Sequence, residues 1–323
     1  MSFLITGGSG CIGSYVIRDL LGRGERVVNY DADPGVQILS QVVPRDAMAG
    51  LVQVRGDITD QFHLARVIRE EKVRKVIHLA SLQIPASNAN PPLAERVVVG
   101  GLVNVLEIAR LLELDAVVWA SSIAVFGPPE EYGNAPVPNG AHHRPQSVYG
   151  ACKSLGEYLV NYYHREYNVN ALGFRFTAVY GVGRERGRSS FTTEMIRKAA
   201  ADESYVIPFG DDVIDWQYVE DVSRLILTAA DARGLRTRVF NTRGDCRPVK
   251  DGMDYLKKLA PGAQLTLEPG RFGIAWNCDT TPLEEELGFR PAYSMEAGIL
   301  RTFNLYRVAA GLPPVNREPS SLS

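Results

Sequence analysis

Short apolar runs alternate with amphipathic segments along the first half of the chain. The apolar runs fall at residues 3–6, 26–30, 51–55, 75–79, 116–120 and 171–176. Between them, apolar residues recur at helical spacing, as in the series Ile12, Val16, Ile17, Leu20 and Leu21. Strands that alternate with helices through short connections require a parallel sheet with helices on both faces. The pattern therefore predicts an α/β fold with a doubly wound parallel sheet.

The pattern becomes less regular after the sixth run. Helices are expected at about 149–167, 190–202, 249–259, 281–287 and 294–309, with strands at about 237–241 and 264–268. We assign residues 1–180, with a contribution from about 213–242, to a dinucleotide-binding domain. Residues 181–212 and 243–312 are assigned to a smaller, partly interleaved C-terminal substrate lobe. Residues 313–323 lack periodicity and are expected to form a flexible tail.

Charge and cysteine content exclude several classes of partner. The 323 residues carry 35 Lys+Arg against 37 Asp+Glu, so no basic field favours nucleic acid or an acidic membrane surface. No apolar run approaches the ~20 residues that span a bilayer, and the first residues lack a signal-peptide pattern. The expected location is cytoplasmic. Cys11, Cys152, Cys246 and Cys278 are scattered without zinc spacing, so reduced structural thiols and no metal site are expected.

A glycine-rich loop follows the first apolar run and precedes the first helical segment. Its glycines, Gly7, Gly10 and Gly13, form a G-x-x-G-x-x-G pattern that also includes Cys11 and Ile12. Such a loop lets backbone N–H groups approach a pyrophosphate in the positive field of a helix N-terminus. The loop therefore predicts a Rossmann-type dinucleotide site.

Acidic residues near the ends of the next two strands extend this site. Asp31 lies 18 residues after Gly13, where a carboxylate accepts hydrogen bonds from an adenosine ribose and repels a 2′-phosphate. This placement predicts NAD rather than NADP, although Asp31 at this position also suits the start of a turn. Asp57 and Ile58 are placed at the adenine side of the cofactor. The segment Leu79, Ala80 and Ser81 reaches the carboxyl edge of the sheet, whereas His78 is expected in the core.

Tyr149 and Lys153 are four residues apart in a segment that suits a helix, so they share one helix face. A phenol ordinarily titrates near pH ~10, and a neighbouring ammonium or a cationic nicotinamide lowers that pKa. Tyr149 is therefore predicted to accept the proton of a substrate alcohol while hydride leaves its carbon. A solvated pair on a helix is the alternative for these two residues taken alone.

Taken together, these motifs resemble the extended branch of the short-chain dehydrogenase/reductase family, which includes NAD-dependent epimerases and dehydratases. The resemblance covers about residues 1–310 and rests on 6–13, 56–57, 78–81, 121–127, 149–153 and 175–181. It implies that Ser122 hydrogen-bonds the reacting oxygen, Tyr149 is the acid/base, and Lys153 binds the nicotinamide ribose. It also implies a homodimer through a four-helix contact of the helices near 95–112 and 149–167, for which packing on the sheet is the alternative.

The substrate side departs from the nucleotide-sugar members of this branch. Positions that usually carry polar residues toward the substrate are Val98, Ala178 and Ile214, while Arg271 matches a later arginine of the family pocket. The acidic pair of the dehydratases is replaced by Ile123 and Ala124. The residues expected to line the substrate pocket are Gln83, Ser122, Ala178, Arg184, Arg188 and Arg271. The three arginines, with Arg186, suit a compact anion site or, for 184–188, a solvated loop.

Three functions remain open from these residues. The favoured one is an NAD-dependent oxidoreductase that acts on a secondary alcohol or ketone of a small polar molecule, such as a sugar or sugar acid. A nucleotide-sugar 4-epimerase uses the same Ser/Tyr/Lys site with recycled NAD. A non-catalytic NAD-binding sensor is disfavoured because such proteins generally lose the Tyr or Lys, and this chain keeps both.

Overall fold

The computed structural model describes residues 1–133 and 135–316. Its strands are β1 (Ser2–Thr6), β2 (Arg26–Asp31), β3 (Leu51–Arg55), β4 (Lys75–His78), β5 (Ala116–Ser122), β6 (Ala171–Phe176), β7 (Ala178–Tyr180), β8 (Tyr205–Ile207), β9 (Val213–Tyr218), β10 (Val239–Asn241), β11 (Asp245–Pro248) and β12 (Leu265–Leu267). The six strands expected in the first half are all present, each within two residues of its expected bounds.

Helices connect these strands. They are α1 (Cys11–Gly22), α2 (Leu39–Val42), α3 (Gln61–Glu70), α4 (Ile84–Ala89), α5 (Pro91–Ala94), α6 (Gly101–Leu111), α7 (Val148–Tyr167), α8 (Phe191–Ala200), α9 (Val219–Asp231), α10 (Val249–Leu259), α11 (Thr281–Leu287) and α12 (Met295–Ala309). A π-helical turn, Glu95–Gly100, joins α5 to α6. The helix expected near 95–112 therefore begins with a wider π-helical turn and continues as α6.

A seven-stranded parallel sheet dominates the molecule, in the order β10-β6-β5-β4-β1-β2-β3. The chain moves outward from β1 to β3 and then crosses to the other side at β4, so the strand order reverses between β1 and β4. In open sheets of this kind, ligands bind in the crevice beyond the carboxyl ends at that reversal. The doubly wound fold expected from the sequence is confirmed, and the fold places the candidate site beyond β1, β4 and β5.

Two separate cores cover the two faces of this sheet. Leu4 packs in the core formed with α3, α6 and α7, whereas its neighbour Ile5 packs in the core formed with α1 and α9. Successive residues of a strand point to opposite faces, so apolar residues in succession indicate a sheet covered on both sides. For this reason the strands of this sheet are marked by uninterrupted apolar runs and not by alternation of apolar with polar residues.

Two small sheets form the rest of the fold. One has the order β11-β9-β7 and the other pairs β12 with β8. A single residue, Thr177, separates β6 from β7, so the chain leaves the large sheet and enters the small one within one residue. The sequence pattern did not identify β7, β8, β9 or β11, which have three to six residues each. The division into two domains stays a prediction, although β10 from the 213–242 segment does complete the large sheet.

Long-range contacts hold the segment between β5 and α7. Arg175 donates to Asn139 O at 2.7 Å, and Val137 N donates to Asn277 O at 2.7 Å. At the other end of the chain, the Asn304 amide bonds the backbone of Val315, while residues 317–323 of the expected tail lie outside the described residues. Within 1–133 and 135–316, no helix combines the length and apolarity that a bilayer crossing demands.

Candidate active site

The glycine loop joins β1 to α1 and leaves the N-terminus of α1 open. Gly10 is the N-cap of α1, no side chain caps the helix there, and its first turn contains no acidic residue. The first N–H groups of a helix lack partners within the helix and attract anions. This end of α1 is therefore available for a pyrophosphate, as the loop motif predicts.

The packing around the loop explains its glycines. Gly7 has a φ of +71°, and a Cβ there would lie 2.8 Å from Ala80 N, just beyond the end of β4. A Cβ on Gly13 would lie 2.5 Å from the Cα of Gly8, so the helix and the loop touch backbone to backbone. A Cβ on Gly10 would instead meet nothing closer than Gly7 O at 3.4 Å. The residues thus form a tight turn whose outer side is open toward the cleft, which fits a dinucleotide.

Asp31 stands at the end of β2, beside the same loop. Its carboxylate accepts hydrogen bonds from Ser9 N at 3.1 Å and from Asp33 N at 3.0 Å, which hold both oxygens at the edge of the loop. Asp57 is exposed after β3 and accepts from Thr59, while Ile58 is buried against α6. The placement of Asp31 suits recognition of an adenosine ribose, and that role stays a prediction.

Helix α7 brings Tyr149 and Lys153 to the cleft. The Ser147 side chain caps the helix by accepting from Gly150 N at 3.1 Å, so Tyr149 lies in the first turn. Lys153 is buried, its Nζ donates to Ala120 O at 2.6 Å, and it lies 5.4 Å from the centroid of the Tyr149 ring. Ser122, the last residue of β5, lines the same cleft. The three residues expected to form the catalytic group are therefore brought together.

The environment of the phenol differs from the sequence-based expectation. Burial raises the pKa of Tyr149, while hydrogen bonding from Ser122, the charge of Arg184 and hydrogen bonding from Ser81 act to lower it. Ser81 Oγ is buried and has no other hydrogen-bond partner among the described residues. Lys153 was expected to lower this pKa, but in the protein alone the groups acting in that direction are the two serines and Arg184. A phenolate then requires a further positive charge, which oxidised nicotinamide carries.

Burial also governs the neighbouring bases. It lowers the pKa of Lys153 to about 7, while Cys152 and Glu157 oppose the shift. Burial and the charge of Lys153 lower the pKa of His78 to about 3, so this imidazole is neutral. His78 Nδ1 lies 2.7 Å from Thr6 Oγ1 inside the sheet. His78 is thus a core residue, as expected. Burial also raises the pKa of Cys11 to about 12, so its thiol stays protonated.

The opposite wall of the cleft carries two of the expected arginines. Arg184 donates to Ser189 Oγ at 2.9 Å, and its Nε is buried without an acceptor among the described residues. Arg188 donates to Phe272 O at 3.0 Å and stacks over the Phe272 ring at 4.8 Å. Gln83 lines the same region. The cleft that Tyr149 lines therefore also contains a guanidinium N–H without an acceptor among the described residues.

Arg271 and Ala178 do not reach the cleft. The Arg271 side chain is 71% exposed and pairs with Glu130, itself 69% exposed, at 3.8 Å. Its neighbour Phe272 lines the cleft instead. Ala178 is buried in β7, opposite Trp216 of β9. Ile214 and Val98 are also buried. The three positions at which this chain has an apolar residue in place of the usual polar one therefore all lie in apolar packing.

The cleft lining also includes Ile123 and Ala124, the positions where the sequence replaces the acidic pair of the dehydratases. The further lining residues, which the sequence did not indicate, are Ile84, Ala120, Ser121, Phe176, Thr177, Val179, Ser189, Phe272 and Ile274. Thr177 was accessible to inference, since it follows directly after the sixth strand at the carboxyl edge. Phe272 and Ile274 come from a loop without periodicity, and only the three-dimensional fold brings that loop to α7. Among the described residues, no cluster of His, Cys, Asp and Glu suits a metal ion.

Comparisons with known proteins agree with this geometry. A model of the NAD dependent epimerase/dehydratase family matches residues 3–242. Among curated relatives, UDP-glucuronate 4-epimerase 5 of Arabidopsis thaliana is 28% identical over 342 residues, which cover 95% of this chain and 75% of that protein.

Solved structures share the fold over nearly the whole chain. UDP-glucose 4-epimerase of Thermus thermophilus, in complex with NAD, is 26% identical, with a TM-score of 0.79 and coverage of 96% of this chain and 100% of the other. An L-threonine dehydrogenase of Cupriavidus necator, in its holo form, has a TM-score of 0.82 at 24% identity, covering 94% of this chain and 99% of the other. At 24% identity, the similarity to the threonine dehydrogenase shows a shared fold and nothing more.

Proposed function

The chain belongs to the NAD-dependent epimerase/dehydratase family, and from that premise we propose that it oxidises or reduces a small acidic sugar derivative at a secondary carbon. It is an NAD-dependent enzyme of the short-chain dehydrogenase/reductase type. The observation that carries the substrate class is Arg184, whose buried Nε has no acceptor among the described residues and whose charge acts on Tyr149. A carboxylate accepts a guanidinium fork in two parallel hydrogen bonds.

The proposed chemistry uses residues already in place. The glycine loop and the N-terminus of α1 would hold NAD, which would supply the hydride acceptor. Tyr149 takes the hydroxyl proton of the alcohol, Ser122 bonds the reacting oxygen, and Lys153, whose Nζ lies 5.4 Å from the centroid of the Tyr149 ring, provides a positive charge in its protonated form. The alcohol carbon loses two electrons and one hydrogen as hydride, the oxygen loses one proton, and the product is a ketone. In the reverse direction Tyr149 returns the proton.

A 4-epimerase acting on a nucleotide-linked uronic acid is the second candidate. The curated relative that covers 95% of this chain is a UDP-glucuronate 4-epimerase. A uronic acid also presents a carboxylate, so Arg184 suits both candidates. The burial of Ile214 and Val98, at positions that carry polar groups in nucleotide-sugar enzymes, favours a substrate without the nucleotide.

One assay separates these candidates. The protein is incubated with NAD and a set of aldonic acids, uronic acids, their neutral sugars and UDP-uronic acids, while NADH absorbance and product composition are followed. Stoichiometric NADH with a free sugar acid is the expected result. Interconversion of UDP-uronic acids without net NADH would establish the epimerase instead. Oxidation of neutral sugars as efficiently as acids would contradict the proposed role of Arg184.

We also propose that two copies associate through α6 and α7. Large exposed apolar side chains cluster on these helices, namely Leu111, Leu155, Tyr158 and Tyr167. Tyr158 and Tyr162 are four residues apart and therefore share one face of α7. Their rings stack there with centroids 6.2 Å apart. A second copy that brings the same two helices forms a four-helix contact and covers this surface.

The assembly proposal predicts a change of mass in one variant and none in its control. Leu155→Glu places a charge in the centre of the proposed contact, so sedimentation should give the 35.5 kDa protomer in place of twice that mass. Phe62→Glu changes an 87% exposed side chain on α3 and should leave the mass of the assembly unchanged. An unmutated protein that sediments as a single protomer at micromolar concentration would remove this proposal.

A further inference from the structure

Strand β5 and helix α7 are joined at three successive strand residues. Ala120 O accepts from Lys153, Ser121 Oγ donates to Glu157 Oε1 at 2.6 Å, and Ser122 acts on Tyr149. Tyr149, Lys153 and Glu157 are spaced by four residues and lie on one helix face. Two of these helix residues belong to the proposed catalytic group. The third, Glu157, has no part in the function derived so far.

Glu157 is a buried carboxylate with a dense set of donors. Arg175 binds it with two donors, Nε to Oε1 at 2.9 Å and Nη2 to Oε2 at 2.7 Å. His143 Nε2 lies 3.2 Å from Oε2. Burial acts to raise the pKa of Glu157, but hydrogen bonds from His143, Arg175 and Ser121 outweigh it and hold that pKa below its usual range. The side chain therefore keeps its negative charge inside the protein.

That charge faces Lys153 from one turn further along α7. Lys153 is buried, so removal from water favours its neutral form, and Cys152 and Glu157 oppose this effect. The other titratable groups near Lys153 are Tyr149 and Cys152 on α7 and His78 on β4, which is neutral. Arg175 on β6 and His143 on the segment before α7 face Glu157. Among these groups, Glu157 is the one anion beside Lys153 at neutral pH.

We propose that Glu157 is a positioning residue that fixes the register of α7 on β5 and favours the ammonium form of Lys153 beside Tyr149. Ser121 and Arg175 occupy paired positions on β5 and β6, so both strands hold the carboxylate at a fixed height along the sheet. This inference rests on the proposed function in one respect, the use of a charged Lys153. It assigns to Glu157 no contact with the substrate or with NAD.

The direct test is the titration of Lys153 in protein with 13C-labelled lysine, its NMR signal assigned by loss in Lys153→Met. In Glu157→Gln the midpoint should fall by roughly one pH unit, because the opposing anion is gone. Lys153 then loses its proton at lower pH, so the rate deficit of Glu157→Gln should be larger at pH 8 than at pH 6. NADH affinity, followed by fluorescence, should show the same pH dependence.

Glu220→Gln is the matched control. Glu220 is also buried and carries two arginines, with Arg18 at 3.0 Å and Arg301 at 3.1 Å, but it lies on α9 away from Lys153. Its loss should destabilise the fold similarly without moving the Lys153 titration. An unchanged midpoint in Glu157→Gln, with a stability loss like that of Glu220→Gln, would reduce Glu157 to a structural residue.

Glu157→Asp separately tests whether Glu157 fixes the register of α7 on β5. This variant also replaces Glu157→Gln as the test if the glutamine variant does not fold. The shorter carboxylate keeps the charge but loses reach to Ser121, so Lys153 should titrate near the wild-type pH while kcat falls several-fold. A wild-type kcat in this variant would contradict the register role. Because the NMR titration needs no substrate, absence of turnover with sugar acids would refute the proposed function and leave this role of Glu157 unaffected.

Discussion

Tyr149→Phe should reduce kcat by roughly 10²–10⁴-fold, the range typical of a general acid–base group, while NADH binding stays within about twofold of wild type. The substitution removes one hydroxyl group at the reacting end of the cleft and changes nothing in the glycine loop at the pyrophosphate end. The steady-state rate with a sugar acid and the fluorescence titration with NADH measure these two quantities independently.

The pH profile gives this prediction a second readout. Alcohol oxidation requires the phenolate, so the wild-type rate should rise with pH through the operative pKa of Tyr149. The residual rate of Tyr149→Phe should lack that rise. Tyr205→Phe, which removes a hydroxyl on β8 outside the cleft, should retain both the rate and the profile. A Tyr149→Phe variant with near wild-type kcat and the same rise would exclude Tyr149 as the acid/base.

Lys153→Met should lower both NADH affinity and kcat, in contrast to Tyr149→Phe, which should lower kcat alone. Lys153 contacts β5 through Ala120 O and lies 5.4 Å from the centroid of the Tyr149 ring, and the family resemblance assigns it to the nicotinamide ribose. Methionine keeps most of the side-chain volume and removes the charge. The pair of variants therefore separates loss of proton transfer from loss of positive charge.

Residues fixed by local spacing were the ones that the sequence predicted well. The glycine loop lies between a strand and a helix that are adjacent in the chain, and Tyr149 and Lys153 are one helical turn apart. Their relation to each other therefore follows from backbone geometry alone. Ser122 required only the further inference that parallel strands present their carboxyl ends at one edge of the sheet.

Residues that depend on irregular segments were predicted less well. Arg271 and Phe272 are adjacent in a loop without periodicity, and nothing in their spacing says which of them faces the cleft. The loop is held by Asp212, whose side chain accepts from Phe272 N at 2.7 Å, so a residue sixty positions earlier decides the outcome. Burial of Lys153 was equally inaccessible, because it depends on the packing of α7 against β5, where Nζ meets Ala120 O and the Trp119 ring. In the protein alone, burial raises the pKa of Tyr149, whereas the sequence predicted a lowered pKa for a phenol beside both an ammonium and a cationic nicotinamide.

Arg184→Ala should raise KM for the acidic substrate by roughly 10–100-fold, the loss expected when a charge-assisted hydrogen bond of about 1.5–3 kcal/mol is removed. Arg271→Ala should leave KM within about twofold, because that side chain is exposed and lies outside the cleft lining. Both variants remove a guanidinium group. Arg184 lines the cleft that contains Tyr149, and Arg271 does not. The two variants therefore test which of the sequence-predicted arginines, Arg184 or Arg271, holds the substrate anion.

A neutral analogue and a nucleotide complete this test. Arg184 also lowers the pKa of Tyr149, so Arg184→Ala should reduce kcat at neutral pH with acidic and neutral substrates alike. Its effect on KM should appear with the acid and vanish with the matching neutral sugar, since only the acid carries the carboxylate. Arg184→Lys, which keeps the charge without the planar fork, should give a KM for the acid between that of the wild type and that of Arg184→Ala.

Calorimetric titration of the NAD-loaded protein with UDP should show no low-micromolar binding, because Ile214 and Val98 are buried and apolar. Tight UDP binding that Arg184→Ala does not weaken would transfer the assignment to the nucleotide-sugar 4-epimerase.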